Sequence, residues 1–304
     1  MLSSHNITPL NITGNTTPQQ QQQLQQFLGE AVADASAVVI GKLDRHTAQI
    51  VLDKRDKIKA EFTESVVEMV ERHTISDRYK DEEAESDREY PSTYQVRPVE
   101  AQVTVLRKHF PNLSGCMEKL GRRPLPGGAE AWFAIPRWQA LAPSYNEALE
   151  MVLNVVGKQR KLSNRVMDKL GPDFLRQSER SLCAREILLQ QQSGNDVTVV
   201  AAQAGMLHRG CSARRARVVM RGNEFGLGAF SFACMLLTHP ERLSSLDALM
   251  VDCCGDEYSL RGDRVFDRVP LFDYDLGGLQ FSIFYEDRSR SMWGSPSCFL
   301  FQMT

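Results

Sequence analysis

The sequence lacks most of the patterns that announce a chemistry. Its seven cysteines are Cys116, Cys183, Cys211, Cys234, Cys253, Cys254 and Cys298. No two form a C-x-x-C pair, which excludes a zinc ribbon, and an odd, irregularly spaced set is not a disulfide framework. Most sit among apolar residues and read as small core side chains in a reducing, cytoplasmic setting. No second histidine stands at metal-ligand spacing, no G-x-S-x-G elbow supports a hydrolase triad, and the alternating acids of a calcium loop are absent. The opening "MLSSHNITPLNITGN" has no basic stretch followed by an apolar one, so no signal peptide is expected, and the N-x-[ST] triplets at Asn6, Asn11 and Asn15 read as chance products of an Asn/Thr-rich tail. The longest apolar run falls within residues 225–237, short of the roughly 20 residues a membrane helix needs, so a soluble protein with no membrane partner is expected. A net charge of -2 argues against a chain whose whole surface grips nucleic acid.

What is present is an ordinary globular composition in 304 residues, long enough to bury a sizeable core. Residues 1–23 are mostly Asn, Thr, Ser and Gln, with too little apolar surface to offset ordering entropy, and are expected to be a disordered tail. Over residues 24–75 the apolar positions Leu24, Leu28, Ala31, Ala35 and Val38, then Val51, Ile58, Phe62, Val66 and Met69, recur at helical spacing on either side of Gly41. Two helices, or one kinked helix, satisfy this pattern, and residues 24–70 are a candidate surface for self-association. The charged run "SDRYKDEEAESDREYPSTYQ" reads as a solvated linker over residues 76–96.

Residues 97–304 read as one mixed α/β domain. Helices are predicted through Val99–Phe110, after Ser144 and from Pro172 through Ile187, with Asn223 capping a further helix ended by Pro240. "AWFAIP", "DVTVVAAQ", "DALMVDCC" and "SCFLFQ" read as strands. "VPLFDY" and "LQFSIFYED" form a hairpin in which Gly277-Gly278 supplies the positive φ. The expected class is α+β, a mixed core with antiparallel C-terminal strands, preceded by a helical segment.

The stretch "HRGCSARRARVVMRGNEFGLGAF" poses the main functional question. Ser212 is a good N-cap for a helix over residues 213–220, which puts Arg214 and Arg215 in the first turn. The helix dipole already makes that turn positive, so two arginines there are unfavourable unless something negative answers them. One answer is a bound anion held by His208, Arg209, Ser212, Arg214, Arg215 and Arg217, its ligand a phosphate, a nucleotide or a nucleic-acid phosphate. The other is the chain's own carboxylates in an internal salt-bridge network, with Asp252, Asp256 and Glu257 as candidates.

Those three acids cluster in "DCCGDEY", where a strand ends in a Gly turn. Such a cluster can hold Mg²⁺ or act as general acid or base, and ordinary turn chemistry explains it equally. Cys253 and Cys254 alternate across the strand, so at most one faces a site. Arginines with carboxylates would suit metal-assisted phosphoester hydrolysis. Gly226 and Gly228 form no nucleotide loop and read as close-approach positions. Arg122 and Arg123 sit in a turn-rich "GRRPLPGG" loop, and Trp132 and Trp138 read as core or as stacking platforms.

The segments "LPGGAEAWFAIPRW", "HRG-x-S-x-RRAR", "NEFGLGAF", "LTHPERL" and "DC-x-GDEY" together resemble a group of bacterial proteins with no assigned activity, over about residues 97–304. The resemblance implies a bacterial protein with a single C-terminal unit, and carries over no catalytic residue. Two functional readings stand: an anion-binding protein, or an interaction or scaffold protein in which the helices of 24–70 self-associate.

Overall fold

A computed structural model describes residues 17–301, apart from Asp168 and the side chains of Glu64, Glu68, Glu71 and Arg72. The fold is α+β. The chain divides into two compact units, one of residues 14–76 and one built on residues 77–304.

The first unit is helical. α1 spans Pro18–Ile40. Thr17 starts it with a reciprocal capping box: its hydroxyl accepts from the Gln20 amide, and the Gln20 side chain answers the Thr17 amide. Residues 19–23, expected in the tail, are therefore helical, because glutamine is a fair helix former once a cap and Pro18 nucleate the turn. The rest of the expected disordered tail, residues 1–16, lies outside the described residues. The chain breaks after Gly41 and restarts at Asp44, whose carboxylate accepts from the Thr47 amide at 2.7 Å and caps α2 (Arg45–Asp53). α3 follows over Arg55–Thr74. Neither α1 nor α2 buries a single residue.

The second unit opens with α4 (Val99–His109), whose Val99, Val103 and Leu106 form one buried stripe and which stops just before Pro111. β1 (Ala131–Pro136) and α5 (Tyr145–Gln159) follow. Ser144 caps α5 at the Glu147 amide, and Ala148, Leu149, Val152 and Val156 are its core face. Next come β2 (Leu162–Asn164), β3 (Leu175–Gln177), α6 (Glu179–Gln191) and β4 (Val197–Gln203), then α7 (Ala213–Val219), β5 (Glu224–Gly226) and α8 (Ala229–Thr238). The C-terminal part is β6 (Met250–Asp252), β7 (Asp256–Tyr258), β8 (Arg268–Asp275), β9 (Gly278–Tyr285), β10 (Trp293–Gly294) and β11 (Ser297–Phe299).

Two sheets result. The first is antiparallel in the order β1-β4-β11-β5. Its inner strand β4 is buried at every residue, which is why "VTVVAAQ" carries no polar face. The second runs β10-β6-β8-β7-β3, with β9 pairing β8 and β2. α8 is apolar nearly all round and accordingly sits in the core against α4, α5 and β1.

Four local expectations change. The helix foreseen from Pro172 starts only at Glu179: β3 intervenes, and Ser178 is the cap. Asn223 caps no helix. It precedes β5, and its amide donates to the Leu300 carbonyl. The hairpin turn is Leu276-Gly277, with φ of 49° and 71°, while Gly278 is already in β9 opposite Asp275. A two-residue turn needs positive φ at both central positions, so the register of the strands, rather than the Gly-Gly pair, set where it fell. The charged run 76–96 keeps most of its residues exposed but does not stand between the two units. From Asp77 on it belongs to the second unit, and it crosses the start of α7 as a strap.

Candidate functional site

Residues 204–217 follow β4 of the first sheet, residues 250–257 run from β6 into β7 of the second, and the strap supplies the charge that the sequence left unanswered. The Ala84 amide donates to the Gly210 carbonyl at 2.9 Å, and the Ser212 amide donates to the Glu82 carbonyl at 3.0 Å. The approach requires glycine at 210: it has φ +78°, and a Cβ there would lie 2.0 Å from the Ala84 oxygen.

That register places two acids on the first turn of α7. The Ser212 hydroxyl accepts from the Arg215 amide at 3.1 Å and donates to Glu82 Oε2 at 2.6 Å. Arg214 pairs with the same carboxylate, its Nε at 2.8 Å from both oxygens, and stacks over the Tyr79 ring at 4.2 Å. Arg215, almost fully buried, pairs with Glu83 at 2.5 Å and donates to the Arg78 carbonyl at 2.9 Å. Burial raises the Glu82 carboxyl, but the hydrogen bonds from Arg214 and Ser212 outweigh it and hold it below the usual range.

Arg217 faces the other way. Its Nε donates to the Cys254 carbonyl and its Nη2 to the Asp256 carbonyl, both at 2.8 Å, and its Nη1 pairs with Glu286 at 2.5 Å. It thereby pins the turn of "DCCGDEY". Arg209 is exposed and reaches only the Arg88 carbonyl, at 3.4 Å, and the Met206 sulfur.

His208 is buried, its Nε2 2.6 Å from Glu224 Oε1. The Ser297 hydroxyl donates to the same oxygen at 2.5 Å, and the Gln203 amide donates to Ser297 and to the Ser295 carbonyl. Burial raises the Glu224 carboxyl, yet His208 and Ser297 bring it below its ordinary value. The serine here serves the carboxylate and not the imidazole, which is the wrong order for a nucleophilic triad.

The three acids of the turn do not converge. Asp252 is buried against the Ser295 hydroxyl. Asp256 and Glu257 are neighbours on β7 and so point to opposite faces. Asp256 accepts from the Tyr145 phenol at 2.8 Å and from the Ala229 amide at 2.7 Å, which makes it the anchor for the start of α8. Glu257 pairs outward with Arg176 at 2.7 Å. Among the described residues no three His, Cys, Asp or Glu side chains are grouped to hold a metal ion, so the carboxylates do not fit the Mg²⁺ cluster expected of them. Burial raises Asp252 to about 6 and Asp256 to about 7. Burial also raises the Cys254 thiol to about 12 and Cys253 well above its usual value, so both stay protonated and are poor nucleophiles. Gly226 and Gly228 are close-approach positions, as expected, and the turn glycine Gly255 meets them: a Cβ on it would lie 2.3 Å from the Gly226 oxygen.

The other flagged side chains stand elsewhere: Trp132 is buried and donates to the Arg123 carbonyl, and Arg122 pairs with Glu100 on the surface. Sequence reasoning missed Glu82, Glu83, Glu286 and Tyr145. Their signal was the sign of the charge: "DEEAE" is the complement of "RRAR", but the pairing spans more than 130 residues. The chain matches no known protein-family model, no curated protein and no solved structure.

Proposed function

We propose that this is an interaction or scaffold protein, in which the helices of residues 17–74 associate with a second copy and the α+β unit is a rigid body held by its internal arginine and carboxylate network. The observation that carries this reading is where the exposed apolar side chains lie. Of the 25 large apolar side chains exposed in the described chain, 14 fall between Leu24 and Ile75, among them Phe27, Ile40, Leu52 and Phe62. An amphipathic helix gains most of its stability from packing its apolar face, and α1 and α2 pack none of theirs within the described chain. A second copy suits the face because α1 carries only Glu30 and Asp34 as charges and α3 carries both signs, so like copies meet without strong repulsion. No helix among the described residues is long and apolar enough to cross a membrane. The free cysteines support a reducing, cytoplasmic setting for the protein.

The anion-pocket reading of residues 208–217 has less to rest on, because Arg214, Arg215 and Arg217 each face a carboxylate of the chain itself. Light scattering coupled to size exclusion tests the proposal. The full chain should elute at a multiple of 34.3 kDa, and Phe27→Glu with Phe62→Glu should return it to the monomer mass. A wild-type monomer at every concentration tried would overturn the reading.

A further inference from the structure

Arg160 stands apart from this network and has no acid of its own. It closes α5 and leads into β2 with extended backbone, φ -154° and ψ 162°. Its Nη1 donates to the carbonyls of Pro240 at 2.8 Å and Leu243 at 2.9 Å, which fixes the guanidinium against the short helical turn Pro240–Leu243. Its Nη2 is buried without a hydrogen-bond partner. Among the described residues no carboxylate pairs with it: the neighbouring Glu241 is taken by Arg97 at 2.9 Å. Burial lowers Arg160 to about 10, with Tyr274 and Glu241 pulling it back only in part.

This guanidinium lines an open cleft of about 320 Å³. Lys161, Ser244, Tyr274, Gly278 and Leu279 line it too, and so does Glu241, whose carboxylate is neutralised by Arg97. The Lys161 stem lies on Gly278, where a Cβ would come within 3.0 Å of its Cγ and Cδ. Its ammonium donates to the Leu276 carbonyl at 2.9 Å, which leaves two of its three protons for another acceptor. Buried donors without partners are rare in folded proteins, and a buried charge without a counter-charge is costly. Arg137 Nε is a comparable orphan, but it borders a cavity of about 40 Å³, room for a few waters and no ligand. At Arg160 the uncompensated charge sits in the wall of a cleft of ligand size, with a second cation beside it.

We propose that the Arg160–Lys161 cleft binds a small molecule through an oxyanion, a phosphate or a carboxylate. Lys161 Nζ donates to its oxygens, the uncompensated Arg160 charge in the wall attracts them, and Tyr274 and Leu279 carry its apolar body. The site is independent of the helical unit and of the α7 network. Calorimetric titration of inorganic phosphate, and separately of acetate, into the full chain at constant ionic strength tests it. At least one anion should give a saturable single-site isotherm, and which one does identifies the head group. Lys161→Glu, which leaves both Arg160 hydrogen bonds in place, should weaken binding at least tenfold while the circular dichroism spectrum is unchanged. Arg160→Gln should also abolish it. Saturable heat with neither anion, or equal affinity in wild type and Lys161→Glu, overturns the proposal.

Discussion

The two units of this chain solve opposite problems. In residues 17–76 the apolar side chains are outside and the charges are loose. Lys57 and Glu61 approach only to 3.8 Å with both side chains mostly in water, a pair that contributes little to stability. In the second unit the apolar side chains are inside, and charges are buried with them: Arg215 keeps 4% of its side-chain surface and has a carboxylate at 2.5 Å. The difference shows that composition does not tell whether a charged stretch is tied to the fold. "KRDKIK" and "DEEAESDRE" look alike as strings, yet one lies on an exposed helix and the other forms the strap over α7.

The largest expected contrast is between two phenylalanines. Phe232 is fully buried in α8, and Phe232→Ala should cost about 3–5 kcal/mol in denaturant unfolding. Phe62 is half exposed on α3, and Phe62→Ala in dilute monomer should stay within about 0.5 kcal/mol. Similar losses would erase the distinction between the units. Glu82→Ala comes next. It strands Arg214 and Ser212 on a turn that is already positive, at about 2–3 kcal/mol because Arg214 is partly solvated, whereas Glu61→Ala should be near neutral. A silent Glu82→Ala would show that the strap is not held by its charges.

Acidity sharpens the same comparison, because the buried carboxyls lie in the second unit. Asp252 at about 6 and Asp256 at about 7 keep protons that an unfolded chain releases near pH 4. Stability from these two groups is therefore greatest below about pH 4, falls as pH rises from there to about 6–7, and is level above that. Glu82 and Glu224, held low, act in reverse and lose their contribution as pH falls below the ordinary carboxylate range. Melting temperature should decline as pH rises from about 5 to about 7 and level off above, and Asp256→Asn should flatten that decline. An unchanged slope in the variant would assign the dependence to other groups. The smallest effect is Thr17→Ala, which removes the capping box of α1 at about 1 kcal/mol and should appear as lost helical ellipticity without a change in the second unit's melting.

Much of this fold was legible. β4 could be read from its β-branched apolar run, α5 from Ser144 and its apolar spacing, and α7 from Ser212. The short strands β3 and β5 were not, because three residues carry no periodicity and form only where a partner strand is already in place. For the candidate site, the sequence posed the right question at Arg214 and Arg215 but misplaced the answering acids. Asp252, Asp256 and Glu257 are near in sequence and turn to separate faces, while Glu82 and Glu83 arrive through a long-range backbone pairing that no local pattern encodes. Arg160 left no trace in the sequence, since an arginine after a helix is ordinary and only the missing partner marks it.

The central claim is that the helical unit is covered by a second copy while the α+β unit is complete in itself. Amide hydrogen exchange of the full chain at low and high protein concentration addresses both halves at once. The account predicts that protection across residues 18–74 rises with concentration while β1, β4 and α8 are protected equally at both. Protection of the helices that does not change with concentration, or concentration-dependent protection of β4, would contradict it.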